Sequence, residues 1–456
     1  MNTLIYTSAL GLLCMLAEMA NLRKLILPIA VAGLCVIFGL NVTDWGKNGA
    51  YYHNMVVTDN FSVAFSGLLL LLGIFITLLA GNFYKNEESK ISDYLAIIIF
   101  TLCGALALVS FGNLAMFFLG IEVLSISLYI LAGSKKKDVR SNEAGMKYFL
   151  MGSFASGILL FGVALIYGET GSFDLGAISN YASATHPSVL FYAGAGMILI
   201  SMLFKVSAAP FHFWAPDVYE GSPTLTTAMM ATIAKIAAFA AFYRLFSHAF
   251  ISVFPPYAWV FTAVTALTIT IGNFTALNQD SFKRMLAFSG ISHAGYLMLG
   301  IISLYGKTDN AIFFYSFAYG ISSMAAFAIA IVVAMNLGSE KIEAFNGLGK
   351  RKPFLAAALT IAMLSMAGIP PLAGFFGKYY IFSEAIRNGH LWITVVAVIN
   401  SIVSVYYYMK VVLAMYTKDS VETAFTLKPA YSFVIGFCIL LLFLAGIFPG
   451  LLTGLL

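Results

Sequence analysis

The chain has 456 residues, 61% of them hydrophobic and 10% charged, with a net charge of +5 and a mean hydropathy of +0.91. A soluble domain carries about 25% charge, so these figures exclude a soluble enzyme or a nucleic-acid-binding module and describe an integral membrane protein made almost entirely of spans. Cys14, Cys35, Cys103 and Cys438 stand singly in apolar runs without metal-ligand spacing, and no GxGxxG after a strand, P-loop or nucleophile elbow marks a nucleotide or flavin site.

A span needs about 20 apolar residues. The first twenty residues are apolar but lack a basic n-region and an A-x-A-like cleavage site, so they read as the first span and not as a removable signal. In chain order the spans fall near 4–20, 24–40, 60–81, 92–111, 113–132, 144–167, 189–209, 225–246, 257–277, 284–304, 312–336, 354–388, 391–416 and 431–455. The predicted fold is therefore an all-α polytopic membrane protein of about fourteen transmembrane helices. Residues 41–59 and 168–188 read as short caps, and no soluble domain interrupts the series. The expected organisation is one membrane domain, 1–456, with spans 1–3 in 1–90, a first repeat in 91–250, a second in 251–416 and a last span in 417–456.

Loop cations set the orientation. The odd-numbered loops hold Arg23, Lys24, Lys85, Lys90, Lys135, Lys136, Lys137, Arg140, Lys283, Arg284, Lys341, Lys350, Arg351, Lys352, Lys418 and Lys428; the even-numbered loops and flanks hold only Lys47, Arg244, Lys307 and Arg387. By the positive-inside rule the odd loops face the cytoplasm and both termini face outward.

Two spans read as broken. Residues 354–388 would make a continuous helix of about 52 Å, against a hydrocarbon core of ~30 Å. Gly368-Ile-Pro370-Pro371-Leu-Ala-Gly374 stands near its middle, and two adjacent prolines remove donors and crowd the preceding turn. Span 7 has a similar interruption in Lys205-Val-Ser-Ala-Ala-Pro210-Phe-His212-Phe-Trp-Ala-Pro216. Unwound backbone is tolerated at membrane depth only where it is buried in protein or lines a wet cavity. Spans 7 and 12 are five apart and so cross in opposite directions, as expected of two inverted five-helix repeats, spans 4–8 and 9–13. Two unrelated proline kinks are the alternative.

Five ionisable residues lie deep in these spans: Glu122, Lys205, Lys235, His293 and Lys378. A charge at a helix centre costs roughly 2.5–3.5 kcal/mol on insertion scales. Glu122 is too far from either end of its span to snorkel, Lys205 and Lys378 stand near the breaks, and Lys235 has no anion near it in sequence. His293 can relay protons through either nitrogen, although a satisfied core histidine would look the same. The five suggest a hydrophilic track for a small cation, the proton foremost. Glu143 and Lys147 form an i,i+4 pair that reads as helix support. Asp217 and Glu220 read as loop residues whose solvation or capping suffices.

Three long motifs carry a resemblance. Phe204-Lys205…Pro210-Phe-His212-Phe-Trp214-Ala-Pro216-Asp217-Val-Tyr-Glu-Gly-Ser-Pro223-Thr, Lys283-Arg-Met-Leu-Ala-Phe-Ser-Gly-Ile-Ser-His293-Ala-Gly-Tyr296 and Gly368-Ile-Pro-Pro-Leu-Ala-Gly-Phe-Phe-Gly-Lys378-Tyr-Tyr-Ile-Phe resemble the seventh-, tenth- and twelfth-helix motifs of the antiporter-like membrane subunits of respiratory complex I. Lys378, where one related subunit typically places glutamate, and an end at Leu456 without room for the lateral helix of another, narrow the resemblance to one subunit type. The resemblance implies a translocase subunit in which Glu122 and Lys205 form a charge-coupled pair in a first half-channel. Lys235 and His293 then belong to a central axis and Lys378 to an outlet half-channel. It also implies a bacterial plasma membrane, other membrane-arm subunits as partners, and NADH, FMN, Fe–S clusters and a quinone (ubiquinone or menaquinone) held outside this chain. A subunit of a multi-subunit sodium/proton antiporter, which shares the motifs, is the main alternative. A carrier of a small organic solute would need a roomy midplane pocket instead, and the midplane charges argue against a passive scaffold.

Overall fold

A computed structural model describes residues 2–20, 22–85, 91–184, 186–304, 308–419 and 425–456; Lys90 and Lys307 lie outside the described residues. The chain begins with α1 (Asn2–Met19), α2 (Arg23–Val42), a hairpin of β1 (Gly49–Tyr51) and β2 (Val56–Thr58), α3 (Asn60–Phe83), α4 (Ile91–Ser110), α5 (Leu114–Ala132), α6 (Val139–Thr170) and α7 (Leu175–Ala184). It continues with α8 (Val189–Lys205), α9 (Trp214–Gly221), α10 (Thr224–Met229), a π turn (Met230–Ala234), α11 (Lys235–His248), α12 (Pro255–Leu277), α13 (Phe282–Ile302) and α14 (Thr308–Leu337). The last part holds α15 (Leu348–Arg351), α16 (Pro353–Ala367), α17 (Ala373–Arg387), α18 (Leu391–Thr417), α19 (Pro429–Ile447) and α20 (Gly450–Thr453).

Among the described residues, twelve helical stretches are long and apolar enough to cross a membrane, one of them the continuous run Thr224–His248. The two remaining predicted spans are the broken ones, α8 with α9 and α16 with α17, so the expected count holds. The predicted caps have structure of their own: the first is the β1–β2 hairpin, with Gly49 opposite Thr58, and the second contains α7.

Both breaks close in the same way. Ser207 (φ 62°) and Gly368 (φ 87°) take left-handed backbone, and the next residue in each case, Ala208 or Ile369, donates its N–H five residues back, to Leu203 O or Leu364 O. That is the bond that caps a helix C-terminus. Pro210 and Pro371 follow at equal distance and prevent the helix from resuming. The packing repeats as well: α4 packs on α5 and α11 as α12 packs on α13 and α18, and α6 packs on α8 and α9 as α14 packs on α16 and α17. Two inverted five-helix units account for both patterns.

Burial grades the helices. The apolar windows of Thr224–His248 and α13 are 100% buried and that of α14 94%, whereas α1, α2 and α6 are a third buried or less. The first three form the centre, and the others present Leu, Phe and Ile outward. The loops also segregate. Lys283 pairs with Glu340 and Lys350 with Asp419 on one face, while Val56 bridges Phe111 and Asn54 donates to Asp174 on the other. The lysine-rich loops thus meet one another, and so do the lysine-poor ones.

Gly374 lets the halves of the second broken helix touch. A Cβ there would stand 1.8 Å from the Ser365 carbonyl oxygen on α16. Gly374→Ala is expected to push α17 from α16 at a cost of about 1–3 kcal/mol, lowering the thermal midpoint of the detergent-solubilised protein; an unchanged midpoint would contradict this packing.

Candidate functional site

Lys205 is the last residue of α8, where a cation suits the negative end of the helix dipole. Its ammonium donates to Ser125 Oγ of α5 at 2.6 Å. Ser125 lies three residues beyond Glu122 on the same helix face, and Ser156 of α6 donates to the Glu122 carboxylate. Glu122 lies within electrostatic reach of Lys205, whose ammonium is hydrogen-bonded to Ser125 and not to the carboxylate.

Lys235 begins α11 directly after the π turn and is 4% exposed. Its Nζ donates to the Gly290 carbonyl of α13 at 2.7 Å. A Cβ on Gly290 would lie 3.0 Å from that nitrogen, so a glycine is what lets the ammonium come so close. One turn further along α13, buried His293 stands between two hydroxyls: Nδ1 is 2.6 Å from Tyr315 Oη and Nε2 is 3.0 Å from Tyr408 Oη. Each hydroxyl can donate or accept, so the ring is served in either tautomer. Tyr408 Oη also lies 2.5 Å from Ser289 Oγ.

Lys378 is 5% exposed. Its ammonium donates to Ala367 O and to Ser401 Oγ, both at 2.8 Å, and sits 5.1 Å from the centre of the Tyr296 ring. Ala367 ends α16, so the cation occupies the C-terminal, carbonyl-rich end of a half-helix. Asn273 of α12 joins this site to the histidine side: it donates to Tyr296 Oη at 3.1 Å and accepts from Tyr407 Oη at 3.0 Å. Tyr407 in turn packs on Tyr408 at 4.4 Å.

The structure thus gathers the five predicted residues into local clusters and links His293 to Lys378 through tyrosines and Asn273. Among the described residues, no hydrogen bond or ion pair joins any two of the five directly, and none of the three lysines has a carboxylate at ion-pair distance. Tyr315, Tyr407, Tyr408, Asn273, Ser125 and Ser401 were not singled out from the sequence. A signal was present in α18, where Asn400, Ser401, Ser404, Tyr407 and Tyr408 recur three and four apart along an otherwise apolar helix.

Asp217 and Glu220 correct the sequence reading. They lie in α9, not in a loop, and bind cations from two other helices. Asp217 takes Lys147 of α6 at 3.1 Å and Arg284 of α13 at 2.8 Å, and Glu220 takes Arg284 at 3.1 Å. The expected Glu143–Lys147 pair is present at 2.7 Å. Burial pushes the Asp217 carboxyl up, but the hydrogen bonds from Arg284 and Lys147 outweigh it and hold the group below its ordinary value. These residues line a polar cleft of about 300 Å³ on the lysine-rich face.

The family described as NADH:quinone oxidoreductase/Mrp antiporter, transmembrane, matches residues 112–404. NADH-quinone oxidoreductase subunit N of Flavobacterium psychrophilum is 50% identical over 456 residues, with both chains covered completely. A chain of respiratory complex I from Thermus thermophilus, solved with bound aureothin, is 33% identical with a TM-score of 0.86, covering 99% of this chain and 98% of that one. A chain of the Mrp complex from Dietzia sp. has a TM-score of 0.90 at 21% identity, covering 99% and 95%, a likeness of fold alone.

Because the folded value of Asp217 is depressed, its ion pairs contribute fully above the ordinary carboxylate value and are lost only as pH falls through the lower folded one. Hydrogen exchange in α9, corrected for intrinsic rates, is expected to stay flat from pH 7 to about pH 4 and rise below it. Asp217→Asn should show the raised exchange already at pH 7; equal protection in both proteins would contradict the tie.

Proposed function

This chain belongs to the family of NADH:quinone oxidoreductase and Mrp antiporter membrane subunits, and we infer that it is a membrane-arm subunit of a bacterial NADH:quinone oxidoreductase, in the place of subunit N. It works as a translocase subunit beside the other membrane-arm subunits. Electrons pass from NADH to quinone elsewhere in the assembly, and this chain moves protons. NADH, FMN, the Fe–S clusters and the quinone are placed in partner subunits or at their interfaces. The membrane is the bacterial plasma membrane, with the lysine-rich loops inside and both termini outside, by loop charge.

The proton path runs Glu122–Lys205–Lys235–His293–Lys378, with water and hydroxyls between. Its support is one observation: three lysine ammoniums lie deep in the spans with carbonyl and hydroxyl partners and, among the described residues, no carboxylate within ion-pair distance. An ammonium held by carbonyls and hydroxyls can give up its proton without leaving a directly paired carboxylate stranded, as the breaking of a buried salt bridge would. Glu122 supplies the adjustable charge for the first lysine. When the carboxylate draws closer to or away from Lys205, the balance between ammonium and amine shifts, each tenfold change in that balance being about 1.4 kcal/mol. Tyr408, Tyr407, Asn273 and Tyr296 make a buried polar bridge from His293 to Lys378, and imidazole is the group suited to pass a proton in either direction. The antiporter alternative shares the family model and the fold, but the relative that is 50% identical over the full chain is a subunit of NADH-quinone oxidoreductase.

In inside-out membrane vesicles with NADH, Lys205→Ala or Lys378→Ala is expected to lower proton uptake several-fold while the complex still assembles. Tyr408→Phe, which removes one partner of His293, should lower it to a lesser degree. A wild-type ratio of protons to electrons in both lysine variants would refute the path.

A further inference from the structure

Arg244 is not among the residues of the proton path, yet it is 4% exposed and sits nine residues beyond Lys235 in α11, about 13 Å along the axis toward the lysine-poor face. Nine residues make two and a half turns, so the two cations point to opposite sides, Lys235 toward α13 and Arg244 toward α3. One guanidinium nitrogen donates to both carboxylate oxygens of Asp59, at 2.7 and 2.8 Å, and the group lies 5.2 Å from the centre of the Phe61 ring. Asp59 is itself the N-cap of α3, so its position is fixed by the helix that begins there.

Two cavities open beside this pair. One, of about 460 Å³, is lined by Asn54, Asp174, Asn180 and others; the second, of about 350 Å³, by Tyr243, Asp309 and Leu456. Both are also lined by Asp59, Arg244 and His248, so any outward approach to α11 through them meets the same guanidinium. The pair is polarised: the Asp59 side chain is 30% exposed and that of Arg244 only 4%, which puts the anion toward the cavity and the cation toward the protein. Below the cation the packing is aromatic. Phe61 lies against Tyr243 and Phe65, and Phe65 against Phe313, while the Tyr243 hydroxyl accepts from Thr308 Oγ1 of α14.

We propose that Arg244 is an electrostatic barrier that closes the lysine-poor end of α11 to protons, so that Lys235 exchanges protons only laterally, along the line toward His293 and Lys378. A guanidinium stays charged at any working pH, and a fixed cation in a low-dielectric passage excludes protons and other cations. Asp59 holds it in place and draws incoming cations only as far as the cavity. The inference rests on the proton-path reading, and a measurement made without NADH separates the two.

The complete complex is reconstituted in liposomes, a pH gradient is imposed with no substrate, and its decay is followed with a pH-sensitive dye. Arg244→Gln is expected to speed the decay several-fold. Arg244→Lys, which keeps the charge, and Asp59→Asn, which keeps a capping side chain on α3 and leaves the cation unneutralised, should both hold the gradient as the wild type does. Loosening of the helix end alone would make Asp59→Asn leak as well, and that result overturns the proposal. So does an assembled Arg244→Gln complex that holds the gradient normally. Where Arg244→Gln alone does not assemble, the double variant Arg244→Gln/Asp59→Asn, which buries no unpaired charge, is measured in its place with the same expectation. The proton-path reading fails separately, by a wild-type ratio of protons to electrons with NADH in both Lys205→Ala and Lys378→Ala.

Discussion

A lysine held in hydrocarbon without an acid beside it must find its partners in the protein backbone, and an unbroken helix has no carbonyls to spare in its middle. Breaking a helix creates them. At the second break, α16 stops at Ala367 and its freed carbonyl receives Lys378; at the first, Lys205 stands in the last turn of α8, at the same kind of terminus. The cost of unwinding a span and the cost of burying a cation therefore offset each other, because the dipole and orphan carbonyls of one answer the charge of the other. Lys235 obeys the same rule by another route, taking a carbonyl from α13 where Gly290 leaves room.

Such partners hold an ammonium without fixing its protonation as a carboxylate would. Among the described residues, salt bridges sit instead toward the helix ends, as in the Lys147–Asp217–Arg284 network and the Arg244–Asp59 pair. The buried lysines are hydrogen-bonded to carbonyls and hydroxyls, and the described ion pairs lie toward the helix ends. The α9 segment connects the two zones, since it leaves the first break and ends in the carboxylates that bind α6 and α13.

Much of the fold was legible because its signals are local. Apolar runs mark the spans, Pro210 and Pro371 mark the breaks, and the loop lysines mark the sides. The costly charges were legible for the same reason, as each stands alone in an apolar stretch. What escaped depends on which helix faces which: that Ser125 receives Lys205, that Tyr408 of α18 reaches His293 of α13, and that Asp217 belongs to a helix bound to two others. The repeat also turned out subtler than two lysines beside two breaks. Aligning Ser207 with Gly368 sets Lys205 opposite Met366 and Lys378, by residue count, opposite Asp217. The backbone device recurs, but the charges are distributed differently around it.

The π turn at Met230–Ala234 sets the azimuth of everything after it. A π turn adds one residue to the helical path, which rotates the following segment by about 100° relative to an uninterrupted α-helix. Lys235 is the first residue past that turn, so its bearing on Gly290 is a matter of phase. Without the extra residue the same lysine, at nearly the same depth, would address a different neighbour, and Arg244 would swing away from Asp59 by the same angle. A single inserted residue thus aims two cations at once.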